Sequence, residues 1–113
     1  MAEERRKKFR VSVTRPVVIQ LSSGKKVHAY ISDFAENGMG VLTSVPAEIG
    51  AKLVFIFSLP IGNDIHDLRL VGEIMYCRIR ADKYINGVAF PDLSPELHKI
   101  IKKYILSVRS KRA

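Results

Sequence analysis

The 113-residue chain has one cysteine, no tryptophan and no apolar run approaching the ~18 residues of a membrane-spanning helix. A lone Cys77 excludes an internal disulfide and suits a reducing compartment. No signal-peptide pattern follows the charged N-terminus, so a cytoplasmic protein is expected. Three histidines, His28, His66 and His98, are scattered without metal-ligand spacing, and no second cysteine joins them. There is no GxSxG elbow, and the Gly-Lys of SSGKK (22–26) lacks the upstream glycine of a phosphate-binding loop. These absences argue against metal-dependent or nucleophilic catalysis, and the chain is read as a binding protein, with no cofactor and no metal.

What the sequence has is positive charge at its ends. The formal net charge is +8. Arg5, Arg6, Lys7, Lys8 and Arg10 stand against Glu3 and Glu4 at one end. Lys99, Lys102, Lys103, Arg109, Lys111 and Arg112 stand against Glu96 at the other, and the middle of the chain cancels. This distribution suits an anionic partner: a nucleotide, a nucleic acid or a lipid headgroup. Solubility alone would also account for it.

Between the charged ends lies a period of two. Val11, Val13, Val17, Ile19 and Leu21 alternate, broken only by Arg15, and Pro16 suggests an edge or a bulge. After the SSGKK turn, Val27, Ala29 and Ile31 resume the pattern; DFAENG (33–38) interrupts it and MGVLT (39–43) restores it. AKLVFIFSL (51–59), LRLVGEIMYCRIR (68–80) and YINGVAF (84–90) complete six strands, with PIGNDIHD (60–67) read as loop. Gly72 and Gly87, inside strand patterns, mark bends or close backbone approach. The end of the chain changes period. Ser94 is the expected N-cap and Pro95 the first helical residue, and Leu97, Ile100, Ile101, Tyr104, Ile105 and Val108 fall at helical spacing. The expected fold class is therefore all-β with a terminal helix: a six-stranded antiparallel barrel or sandwich plus a C-terminal α-helix. One domain spans 1–113, comprising a flexible basic arm (1–10), a β-barrel (11–90) and the helix (94–110).

Two segments carry binding chemistry. Arg6 and Arg10 form an RxxxR, and arginine offers a planar fork of donors for phosphate or for the O6/N7 edge of guanine. A solvated basic tail is the plain alternative. Asp33, in DFAENG, offers a carboxylate that can accept guanine N1–H and N2–H₂ donors, and Gly38 permits a positive φ that would gather backbone N–H groups. Taken alone, the segment reads more simply as an Asx turn in which Asp33 caps its own loop.

In this order, RxxxR at Arg6–Arg10, one hairpin, then DxAxxG at Asp33–Gly38, the chain resembles the PilZ domain family, whose second motif is [D/N]xSxxG. Gly87-Val88-Ala89-Phe90 is similar to that family's Gly-Val-x-Phe strand. The resemblance implies a six-stranded barrel that binds cyclic di-GMP. It assigns Arg6 and Arg10 to phosphate and guanine, Asp33 to guanine and Gly38 to loop shape, and it implies an arm that folds over the ligand. Arg5, before the motif, occupies the position associated with uptake of a stacked ligand dimer. Ala35 replaces the family serine and removes one hydroxyl, a change of about tenfold in affinity. The implied protein signals to a partner protein in trans. Two other readings stand beside it: a ligand-independent PilZ-like interaction module, and a small-barrel nucleic-acid binder, which lacks an aromatic stacking triplet because Tyr30, Tyr76 and Tyr84 are dispersed.

Overall fold

Alternation along β1 (Val11–Gln20) buries Val11, Val17 and Ile19, and five further strands repeat the device. In the computed structural model, which describes residues 10–112, these are β2 (Lys26–Ala35), β3 (Gly38–Thr43), β4 (Lys52–Ile61), β5 (Asp64–Arg80) and β6 (Lys83–Ala89). Helix α1 (Pro95–Arg112) follows. The strands close antiparallel in the order β1-β2-β3-β6-β5-β4. Pairs from Val17↔Phe57 to Gln20↔Val54 seal the ring between β1 and β4, so no long edge is left to recruit another chain. The expected barrel with a C-terminal helix is the observed fold. Except for Arg10, the arm expected over 1–10 lies outside the described residues.

Pro16 is not on an edge, and the expected bulge lies beside it, between Ser12 and Arg15 in the register with β2. The β1–β4 register places Pro16 opposite Ser58, one step beyond the Val17↔Phe57 pair. Proline has no N–H to give the Ser58 carbonyl. Arg15 supplies the missing donors: its Nε and Nη2 donate to Ser58 O at 3.3 and 3.0 Å. The residue that breaks the alternation in the sequence thus completes the ladder.

Two segments read as loops are strand. β2 continues through Asp33, Phe34 and Ala35, and only Glu36 and Asn37 turn before β3. Its register with β3 shifts between Ile31 and Asp33, so that Ile31 and Phe34, three apart, are both fully buried. This bulge erases the period of two from the sequence without ending the strand. Likewise β4 and β5 run on to Ile61 and from Asp64, joined by Gly62 and Asn63 alone. Gly62, at φ 61°, supplies the positive angle that a two-residue hairpin turn requires. The hairpin tip stands clear of the core, with Ile65 71% exposed, which is why its sequence is polar.

Phe34 is the centre of the core, with ring centroids of Phe57, Phe90 and Tyr104 at 5.7, 5.9 and 5.9 Å. Ile101, Tyr104 and Ile105 of α1 are buried against this cluster. Helix α1 therefore packs where β2 finishes. Ser94 is its cap as expected: Leu97 N donates to Ser94 Oγ at 3.2 Å. Among the described residues no helix is long and apolar enough to cross a membrane.

Candidate functional site

Across five neighbouring strands the register lines up Ser12, Asp33, Gly40, Gly87 and Tyr76 in one transverse row. Directly paired residues share a face, and this row is on the outside of the barrel: Ser12 and Tyr76 are exposed, whereas the flanking Phe34, Met39 and Val88 are buried. Each half of the row has a glycine that makes room for its neighbour. A Cβ on Gly40 would lie 2.5 Å from Asp33 Oδ2, so the Asp33 carboxylate lies flat on the strand beside it. A Cβ on Gly87 would lie 2.1 Å from Tyr76 Cε2, so the Tyr76 ring lies flat on β6. The guanidinium carbon of Arg78 sits 4.7 Å from the Tyr76 ring centroid, in cation–π contact.

Arg10, just before β1, comes down on the acidic end of the row. Its Nε and Nη2 both donate to Asp33 Oδ1, at 3.2 and 2.5 Å. Both side chains are partly open to solvent, 52% and 31% exposed, so the pair contributes on the order of 0–1 kcal/mol and separates easily. Beside it is a shallow depression of about 220 Å³ lined by Arg10, Asn37, Gly38, Tyr76 and Gly87. A cationic fork and a flat aromatic ring thus line one open concavity, and the carboxylate bonded to that fork lies beside it. Together they can bind a planar, hydrogen-bonding anion: charge to Arg10, donors to the carboxylate, a ring face to the Tyr76–Arg78 stack.

The turn that carries the second motif is fixed from two sides. Phe90 N donates to Asn37 O at 3.1 Å, and His98 Nε2 of α1 lies 3.3 Å from Glu36 Oε1. The site's lower edge is therefore tied to the helix.

Of the residues singled out from the sequence, Arg10 and Asp33 are brought into contact and Gly38 lines the same depression. Arg5 and Arg6 lie outside the described residues. Gly38 does not adopt a positive φ; the glycines that do are Gly24, Gly50 and Gly62. A Cβ there would lie 2.5 Å from Val88 O, so the expected backbone nest is replaced by close approach of β6 to β3. Asp33 is likewise not in an Asx turn, because its backbone belongs to the β2 ladder. Ala35 is 1% exposed and points into the protein. Gly72 and Gly87 mark close approach as expected, the former against Phe55 and Val88. The sequence reading missed Gly40, Tyr76 and Arg78. Their adjacency depends on the β3–β6 and β5–β6 registers, and no local motif signals it. Among the described residues no group of three or more His, Cys, Asp or Glu side chains could hold a metal.

The PilZ domain family model matches residues 4–107. The structure is similar to the PilZ domain with c-di-GMP of YcgR from Escherichia coli (TM-score 0.76, 14% identity, 96% of this chain and 94% of that one). It is also similar to the inhibitor of motility MotI/DgrA of Bacillus subtilis (0.80, 13%, 96% and 52%). A third similar structure is YcgR in complex with c-di-GMP from Escherichia coli (0.76, 16%, 96% and 47%). The chain spans about half the length of the latter two. No curated protein matches the sequence.

Proposed function

Because the chain belongs to the PilZ domain family, whose model covers residues 4–107, we propose that it is a receptor for cyclic di-GMP that passes the signal to a partner protein in trans. The observation that carries this reading is the Arg10–Asp33 pair at the rim of the depression beside Tyr76. Arg10, with Arg6 from the arm, takes ligand phosphate and the guanine O6/N7 edge. Asp33 takes the guanine N1–H and N2–H₂ donors. The Tyr76–Arg78 stack offers a flat face to a base. Arg5 extends the cationic cluster and sets the number of dinucleotides taken up. Gly38 keeps the depression open, and Ala35 marks the missing family hydroxyl.

Ligand entry exchanges the exposed Arg10–Asp33 pair for bonds to phosphate and guanine. The exchange costs little, because the pair is solvated. Neutralising the arm's positive charge then favours its closure onto the barrel and presents a new surface to the partner. The chain acts by binding rather than catalysis, in the cytoplasm.

Calorimetry with cyclic di-GMP tests the proposal. Binding is expected in the native chain, with a loss of roughly 10- to 100-fold in Arg6→Ala and in Arg10→Ala, the value of one charge-assisted hydrogen bond. No heat at about 100 µM protein, where micromolar affinity would register, overturns it. Ala35 favours one second reading, a ligand-independent interaction module. In that case capture of a partner would be unaffected by Arg6→Ala and by cyclic di-GMP.

A further inference from the structure

Helix α1 turns one face to the core and the other to solvent. Ile101, Tyr104 and Ile105 are buried against the Phe34 cluster. On the opposite face Lys99, Lys102, Lys103, Leu106, Arg109 and Ser110 are exposed. Glu96, in the first turn, is the only acid of the helix. Among the described residues Lys99, Lys102 and Lys103 make no ion pair with it or with any other carboxylate.

These cations do nothing for the free helix. Lys99 stands three and four residues from Lys102 and Lys103, spacings at which like charges repel across a helix surface. The helix dipole favours cations only in the last turn, and these three lie well before it. Leu106, 49% exposed, is the one large apolar side chain that the helix presents to solvent among the described residues. Lys102 and Lys103 precede it by four and three residues, and Arg109 and Ser110 follow by three and four, so the leucine is ringed by them. The face thus has an apolar centre and a cationic surround. Its start is tied to the dinucleotide site: His98, next to Lys99, lies 3.3 Å from Glu36, whose neighbour Asn37 lines the Arg10 depression.

We propose that the outer face of α1 is the surface that meets the partner protein, and that it docks an acidic helix. Leu106 packs on an apolar residue of that helix, and Lys99, Lys102 and Lys103 pair with carboxylates three and four residues from it. Lys99 and Leu106 are ~10 Å apart along the axis of α1, two turns of such a partner. An apolar centre within a charged rim is the anatomy of a protein interface. A lipid surface fits less well, because the apolar stripe of α1 that would enter the headgroup region is already buried in the core. A nucleic acid would set phosphates against Leu106. The proposal gives the partner of the cyclic di-GMP reading a surface and a chemistry, and for its part in signalling it rests on that reading; the contact itself needs no dinucleotide.

Fluorescence anisotropy of the full chain with two labelled helical peptides tests the proposal. One carries a leucine flanked by glutamates three and four residues away on each side; in the other, glutamine replaces every glutamate. The glutamate peptide is expected to bind with a Kd of about 10–100 µM, and the glutamine peptide at least about tenfold more weakly. Lys102→Glu/Lys103→Glu should weaken the glutamate peptide at least about tenfold, and Leu106→Ser by about three- to tenfold. Because Lys103→Glu exchanges a repulsion with Lys99 for an attraction, the double variant should keep its circular dichroism spectrum and its melting temperature. No anisotropy change at about 1 mM chain, equal binding of the two peptides, or undiminished binding in a folded Lys102→Glu/Lys103→Glu or Leu106→Ser would each overturn it. So would tighter binding of phosphatidylserine vesicles or of duplex DNA than of the glutamate peptide. Should the variants not fold, the two peptides on the native chain decide alone. A chain that takes up cyclic di-GMP but not the glutamate peptide refutes the docking face alone, and one that binds the peptide but not the dinucleotide refutes the receptor reading alone.

Discussion

Gly40 and Gly87 form one cross-strand pair, and each gives its space to the side chain that works beside it. Gly40→Ala is therefore expected to turn the Asp33 carboxylate off the sheet and break its bonds to Arg10. Because alanine suits a strand better than glycine by ~0.5–1 kcal/mol, stability should change little. Calorimetry should find cyclic di-GMP affinity reduced at least about tenfold, the cost of one charge-assisted bond, with the melting temperature nearly constant. A parallel fall in both would indicate a folding defect instead. The opposite sign is expected at Ala81, which holds φ 57° in the β5–β6 turn. Left-handed backbone costs a non-glycine residue ~1–2 kcal/mol, and glycine's extra unfolded-state freedom returns ~0.4–1 of it. Ala81→Gly should thus gain between ~0 and ~1.6 kcal/mol in urea denaturation with an unchanged m-value. The chemical identities of Arg10 and Asp33 were legible in the sequence, whereas Tyr76 and Gly40 were not. The first two sit in a spaced motif; the others become neighbours of the site only through strand register.

β1 carries a proline in a barrel that has no free edge, and the element survives because Arg15 donates where Pro16 cannot. Arg15→Leu should cost ~1–3 kcal/mol by leaving the Ser58 carbonyl unpaired. In a Pro16→Val background, the strand regains its own N–H and the same change should cost well under ~1 kcal/mol, so a double-mutant cycle reads the compensation directly. Equal costs in both backgrounds would remove the argument. For α1, Ser94→Ala should lower stability by ~1 kcal/mol, the usual value of an N-cap. The helix and its cap were readable from the sequence because capping and i, i+3, i+4 spacing are local properties. β2 was read short because its bulge moves Phe34 out of phase with Ile31, and β4 and β5 because their exposed tip has no reason to alternate in hydropathy.

Taken whole, the molecule concentrates positive charge at both chain ends, so competing readings differ in their response to salt. A nucleic-acid binder using 6–10 phosphate contacts would lose about 10³–10⁵ in affinity between 50 and 200 mM salt. A dinucleotide with two phosphates engages far fewer cations, and its affinity is expected to fall by no more than about tenfold over that range. Cyclic di-GMP at 100 times its Kd should also stabilise the fold by ~2.7 kcal/mol, visible as a rise in melting temperature.

The barrel, the capped helix and the two spaced motifs follow from period, composition and spacing along the chain, which act over a few residues and leave their trace in order. The φ of Gly38, the flat seats of Asp33 and Tyr76 and the Arg15 substitution for a proline N–H do not. Each depends on which strand lies beside which, and in what register. Closure of the ring brings Gly40 to Gly87 and Asn86 to Val41, residues some 45 positions apart. Local preference carries no information over such distances; packing and hydrogen-bond pairing decide them.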